Sequence, residues 1–211
     1  MREKVIIIGA GGHGKVVLEI LQLSGDFVVA GFIDADATRQ GERIELAGQS
    51  YEILGAINQI PKLKKQGVTG AVVAIGDNRI RMGYAAEVKK AGLKLVSAIH
   101  PKSLISPTAK LGENLCIAAG AIIGTETLIG DSCIINTGAI LDHECRIGEG
   151  VHIAPGTVLA GRVTVDSQAF IGMGSRILPC LTIGQNATVG AGAVVIADVP
   201  AFSRSAAETV D

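Results

Sequence analysis

In a chain of 211 residues, 19 Lys and Arg nearly cancel 20 Asp and Glu, so the balance lacks the basic excess of a nucleic-acid-binding protein. Nearly half the residues are hydrophobic (48%), enough for a soluble chain of one or two domains with a real core, and the absence of Trp fits a narrow core with little room for rings. The start, Met1 to Gly9, has neither a cleavage-like region nor the length to span a membrane, which predicts a cytoplasmic protein.

The first element is Lys4 to Ile8, a β-branched run that reads as a buried strand. It leads into Gly9-Ala10-Gly11-Gly12-His13-Gly14, and then Val16, Val17, Ile20 and Leu21 recur at helical spacing until Ser24-Gly25-Asp26. A second strand, Phe27 to Ile33, closes on Asp34. Strand, glycine loop, helix, strand and acid form a βαβ nucleotide-binding pattern. Amides at the helix start can face a phosphate, and Asp34 can accept from a sugar hydroxyl or a base. Residues 36–51 read as a polar connection with a minor strand or turn, and Glu52 to Lys65 as a helix. Ala71 to Ile75 is the next buried strand. It runs into Gly76-Asp77-Asn78, at the rim where parallel sheets bind ligands. A helix from Arg79 to Ala91 and a strand from Leu93 to Ile99 complete the first domain, residues 1–100, with His100-Pro101 as its boundary.

From there an aliphatic residue recurs at every sixth position without a failure, from Ile105 through Ile135, Leu141 and Ile171 to Val195. Helical faces repeat at about 3.6 residues and strand faces at 2, so a strict six fits neither. It fits a hexapeptide parallel β-helix in which three hexads make a triangular coil of about eighteen residues. The residue after each aliphatic one is often Gly, as at Gly112, Gly124, Gly148 and Gly172, and is assigned here to the corner conformation. Four residues after each aliphatic one a small side chain points inward, as at Ala121, Cys133, Ala139 and Cys145. Cys116, Cys133, Cys145 and Cys180 form no C-x-x-C pair and read as reduced packing residues.

A prism of flat walls has no deep cleft, so a ligand site is most easily made between neighbouring prisms. Asp142-His143-Glu144 places a titratable triplet at a corner, where an imidazole beside a carboxylate is the usual general base near neutral pH. His152, nine residues on, cannot share a wall of one subunit with His143.

A glycine-loop domain, a His-Pro boundary and an uninterrupted hexapeptide domain carrying Asn136-Thr137-Gly138-Ala139 and Asp142-His143-Glu144-Cys145 resemble one family over about Lys4 to Val199. It is the sialic acid O-acetyltransferase (NeuD/PglD-type) group of left-handed β-helix acyltransferases, close to the amino-sugar N-acetyltransferases of bacillosamine and perosamine biosynthesis. The resemblance implies a left-handed coil and a homotrimer with sites between subunits. It implies that acetyl-CoA, with no metal, acylates the amino group of a nucleotide-linked sugar, a UDP- or GDP-4-amino-4,6-dideoxy sugar. His143 matches the catalytic base and Glu144 its supporting acid. His152, Met173 and Ala191 match coenzyme contacts, and Gly161 matches the backbone donor that holds the oxyanion. Gly11, Gly12, His13, Asp34 and Gly76 match nucleotide-sugar contacts, with Asn78 and Arg81 as further members. O-acetylation of sialic acid remains an alternative, as do a non-catalytic nucleotide-binding scaffold and an NAD-binding sensor module. One departure is the end: Asp198-Val199-Pro200-Ala201 leads into Phe202 to Asp211 in place of the family's closing segment, which predicts either a disordered tail or a different cap on the prism.

Overall fold

The computed structural model describes residues 2–205, and the chain divides into two compact units after Pro101. The first is a Rossmann-like parallel sheet with helices. Strand β1 (Glu3–Ile8) buries Val5 to Ile8 completely and pairs on one side with β2 (Phe27–Ile33) and on the other with β5 (Gly70–Val73), which pairs with β6 (Lys94–Leu95). Helix α1 (Gly12–Ser24) inserts Val17, Leu18, Ile20 and Leu21 and ends at Gly25, whose φ of 72° reverses the chain at no side-chain cost. Helices α2 (Ile60–Lys65) and α3 (Asn78–Lys90) supply Leu63, Ala85 and Val88 to the cluster that buries Ile6 and Ile8. Burying a strand residue of that size stabilises by about 2 kcal/mol.

The polar connection, expected to hold a minor strand or turn, is a hairpin of β3 (Arg43–Leu46) and β4 (Gln49–Glu52). Two other readings of this unit need correction. Glu52 to Gly55 is extended, not helical, because its backbone extends the sheet edge: Leu54 N–H donates to Phe32 O at 2.8 Å and Asp34 N–H to Gly55 O at 3.0 Å. The helix therefore starts only at Ile60. Similarly, Leu93 to Ile99 is no continuous strand, since only Lys94 and Leu95 register with β5.

The second unit is a left-handed parallel β-helix. Two-residue strands recur every six residues and pair in register with the coil eighteen residues on, as Ile140 and Leu141 do with Val158 and Leu159. Every ladder residue from Ile117 to Val195 is buried, and so are the small side chains beside them, including Ala121, Cys133, Ala139 and Cys145. All four cysteines are free, three of them buried and Cys180 exposed.

The corners are built differently from the sequence expectation. The left-handed residue is the third after each ladder residue, and the series runs unbroken from Asn114 (φ 56°) through Glu144 (59°) and Arg162 (60°) to Gly192 (71°). The glycine directly after the ladder residue answers to close approach instead. A Cβ at Gly124 would meet Asp142 backbone at 2.7 Å, and one at Gly172 would meet Ala191 N at 2.5 Å.

The last coil is two residues short. Phe170 pairs with Thr188 eighteen residues on, but Thr188 pairs with Arg204, only sixteen on. Val199 takes the buried ladder place and bridges Ile183, while Asp198 Oδ1 accepts from Thr182 N–H at 2.8 Å. The expected difference at the prism end is thus a shortened side that still continues the sheet through Ser205. Residues 206–211 of the tail lie outside the described residues.

Candidate active site

The predicted nucleotide residues converge at the carboxyl ends of β1, β2 and β5. Gly9 (φ 108°) and Gly14 are fixed by packing, because a Cβ would meet Ala74 O at 2.7 Å in the first case and Gly9 O at 2.0 Å in the second. Gly11, Gly12 and Gly76 differ. Nothing lies within 4 Å of a Cβ at any of the three, so they leave an open rim over the start of α1, where the first-turn amides carry the positive end of the helix dipole. Asp34 faces that rim with both oxygens engaged: Oδ2 accepts from Ala10 N–H at 3.0 Å and Arg39 at 3.1 Å, and Oδ1 from Asp36 N–H at 3.1 Å. His13 stands on the first turn of α1 with its Nε2 buried and unpartnered. Burial, and then the nearby Arg81 charge, hold its pKa down at about 4, so the ring is neutral.

On the β-helix, His143 and Glu144 occupy the second and third places of one corner. Glu144 takes the left-handed conformation, which turns its carboxylate back onto the imidazole: Oε2 accepts from His143 Nδ1 at 2.9 Å and from Arg162 Nε at 3.0 Å. Both partners hold Glu144 below the usual carboxylate range, with His143 the larger cause. A proton on Nδ1 leaves Nε2 as the basic atom. Asp142 Oδ1 accepts from His143 N–H at 2.7 Å, and Arg162 N–H donates to His143 O at 2.9 Å. Gly161 lies one coil on, directly beneath the ring, and a Cβ there would stand 2.5 Å from His143 Nε2. Among the described residues the Gly161 N–H has no acceptor, while its carbonyl accepts from Cys180 N–H at 3.1 Å.

The other predicted residues sit on a different corner and wall. Met173 is exposed, and its carbonyl accepts from Gly192 N–H at 2.8 Å, which places Ala191 one coil beyond on the same edge. Asn136 begins an earlier level of that edge. Its Oδ1 accepts from Thr137 N–H at 2.8 Å, and its Nδ2 reaches His152 Nε2 at 3.2 Å. Phe170 meets the His152 ring edge-on at 5.1 Å. The predicted β-helix residues therefore fall into two groups, His143, Glu144 and Gly161 at one corner and Asn136, His152, Met173 and Ala191 around another. Arg162 and Phe170 were missed in the sequence. Each lies eighteen residues after its partner, Glu144 or His152, so the coil length was the signal that finds them.

A nucleotide-type α/β unit ahead of a hexapeptide coil, with a histidine-carboxylate pair on one corner, defines a hexapeptide acyltransferase. Residues 4–88 match the PglD N-terminal domain and residues 126–161 the bacterial transferase hexapeptide (six repeats). The chain belongs to the NeuD/PglD-type family of acetyltransferases. PerB from Caulobacter crescentus, solved with CoA and GDP-perosamine, is 42% identical with a TM-score of 0.89, covering 96% of this chain and 93% of that one. Variants of the perosamine N-acetyltransferase with one histidine replaced by asparagine or alanine match at TM-scores of 0.90. The acetyltransferase domain of PglB from Neisseria gonorrhoeae, with acetyl coenzyme A, is 32% identical with a TM-score of 0.87 over 98% of this chain and 97% of that one. UDP-N-acetylbacillosamine N-acetyltransferase of Bacillus subtilis is 34% identical over 118 residues, a match spanning 56% of this chain and 52% of that relative. No helix among the described residues is long and apolar enough to cross a membrane.

Proposed function

We propose that the chain transfers acetyl from acetyl-CoA to the amino group of a nucleotide-linked amino sugar, a UDP- or GDP-4-amino-4,6-dideoxy sugar. The observation that carries this reading is the His143 Nδ1 contact to Glu144 Oε2 at 2.9 Å, with Nε2 poised over Gly161. His143 Nε2 accepts the proton lost by the amine as its nitrogen bonds to the thioester carbonyl. The Gly161 N–H is the candidate donor to the oxygen that gains charge. The C–S bond then breaks and the CoA thiolate leaves. The likeness to enzymes solved with CoA and GDP-perosamine supports both substrates.

The working unit is a cyclic trimer. Outward residues Leu104, Ile122, Ile140, Val158 and Val194 follow one another in register along a single wall, an apolar stripe interrupted only by Arg176. That wall is bounded by the Met173 edge on one side and the His143 corner on the other. Turning it toward a threefold axis sets one chain's His143 corner beside its neighbour's His152 and Met173, completing a site that one chain lacks.

The test is thiol release from acetyl-CoA with UDP- and GDP-linked amino sugars, with sialic acid and CMP-sialic acid as hydroxyl acceptors. Release with one amino sugar, abolished in His143→Ala, is the expected result. Release only with sialic acid would replace this reading with O-acetylation, and a His143→Ala enzyme of near wild-type turnover would overturn the mechanism.

A further inference from the structure

Helices α1 and α3 start at the carboxyl ends of adjacent strands, β1 and β5, so their first turns flank one rim. Arg81, in the first turn of α3, is only 1% exposed and is the largest fully buried side chain among the described residues. Its Nη1 donates to the carbonyls of Ile75 (2.9 Å) and Gly76 (3.0 Å), and its Nη2 donates to Asn78 Oδ1 (2.8 Å). The fork thus ties Ile75, Gly76 and Asn78 of the β5–α3 turn to one side chain. A buried guanidinium is costly to desolvate, and the turn would close on its Asp77 cap without it, since Asp77 Oδ1 already accepts from Ile80 N–H at 2.8 Å.

We propose that Arg81 is the positioning residue of the nucleotide-sugar site, holding the Ile75 to Asn78 turn so that the open Gly76 backbone and the Asn78 amide meet the ligand. Two consequences follow from the geometry. With both carbonyls directed inward to Arg81, the turn keeps its acceptors away from an anionic diphosphate. With Asn78 Oδ1 on Arg81, the side-chain amide is held in one orientation at the head of α3. Arg81 also contributes positive potential at the start of α1, where it helps keep His13 neutral. Lysine would supply the charge but not the planar fork that reaches three acceptors.

The proposal rests on the nucleotide-sugar reading, and the experiment separates the two. Arg81→Lys, Arg81→Met and Asn78→Asp are compared with wild type for UDP and GDP affinity by titration calorimetry, acetyl-CoA affinity, and kcat and KM with UDP- and GDP-linked 4-amino-4,6-dideoxy sugars. Asn78→Asp keeps an acceptor for Arg81 while losing the NH2, so it serves even where an Arg81 variant folds poorly. The expected result is a KM raised by about tenfold or more in all three, with kcat within about threefold and acetyl-CoA affinity unchanged. The His13 resonance of Arg81→Met should titrate at higher pH than in wild type. Wild-type KM in a folded Arg81→Lys, or a matching loss of acetyl-CoA affinity that marks a role in the fold at large, would overturn the proposal. A wild-type chain that binds neither UDP nor GDP would instead remove the nucleotide-sugar reading itself, and this proposal with it.

Discussion

Gly161 and His143 share one space: the imidazole lies where a β-carbon at Gly161 would be, 2.5 Å from Nε2 and 2.6 Å from Cε1. The glycine is buried and the histidine half exposed, so the coil sets the ring's position through an absent side chain. Gly161→Ala should displace the ring, lowering kcat by about tenfold or more while the melting temperature moves little, because the ring's outer face is open to solvent. His143→Ala should cost about 100- to 10,000-fold in kcat. Thiol-release kinetics with thermal melting of both variants checks this, and a fully active Gly161→Ala would show that the contact does not position the base.

Glu144 spans two partners, and its substitution separates them. Glu144→Gln keeps the size and an acceptor oxygen but loses the charge that holds His143 Nδ1 and Arg162 at 2.9 and 3.0 Å. It should lower kcat by about tenfold or more with little change in the KM for acetyl-CoA. Arg162→Gln leaves the His143 contact intact and should cost less. Equal losses in the two variants would mean that the whole triad, and not the carboxylate, orients the ring.

The ladder of six was fully legible because each coil repeats the same demand for one large and one small inward side chain. The corner was not. Glycine after the ladder residue suggested left-handed backbone, yet that conformation falls two residues later on Glu126, Glu144, Arg162 and Gln168, where composition gives no hint. In Gly124 and Gly172 the glycine signal marks close approach between coils, a long-range property. Glu52 to Gly55 misled for a related reason, since pairing with β2 overrides a locally helical pattern. For the candidate site, the sequence alone singles out His143, Glu144 and Asp34 by residue type and position. The partners Arg162, Phe170 and Arg39 emerge only when coil register or the fold of the hairpin brings them near.

The glycine loop allows a test in which stability and binding move in opposite directions. Gly12 is the first residue of α1 and a β-carbon there meets nothing within 4 Å. Gly12→Ala should therefore stabilise the chain by about 0.5–1 kcal/mol, yet weaken UDP or GDP binding by filling the rim. Gly14→Ala meets Gly9 O at 2.0 Å and should destabilise by about 3 kcal/mol or prevent folding. Chemical denaturation and nucleotide titration on the two variants give the contrast. Unchanged nucleotide affinity in Gly12→Ala would remove the rim from the site.

His13 makes stability depend on pH. Its folded pKa is lowered from the usual 6.5 to about 4, with burial the larger cause and Arg81 the second. Between those values the unfolded chain binds a proton that the folded chain refuses. The contribution is therefore whole above pH 6.5 and is lost as pH falls toward 4, the loss reaching about 2 kcal/mol by pH 5. His13→Gln removes the titrating group, so the stability difference between wild type and variant should shrink from pH 7.5 to pH 5. Urea unfolding at several pH values measures that difference directly. A constant difference would mean that the folded chain protonates His13 as readily as the unfolded one, and the buried, neutral imidazole at the start of α1 would have to be abandoned.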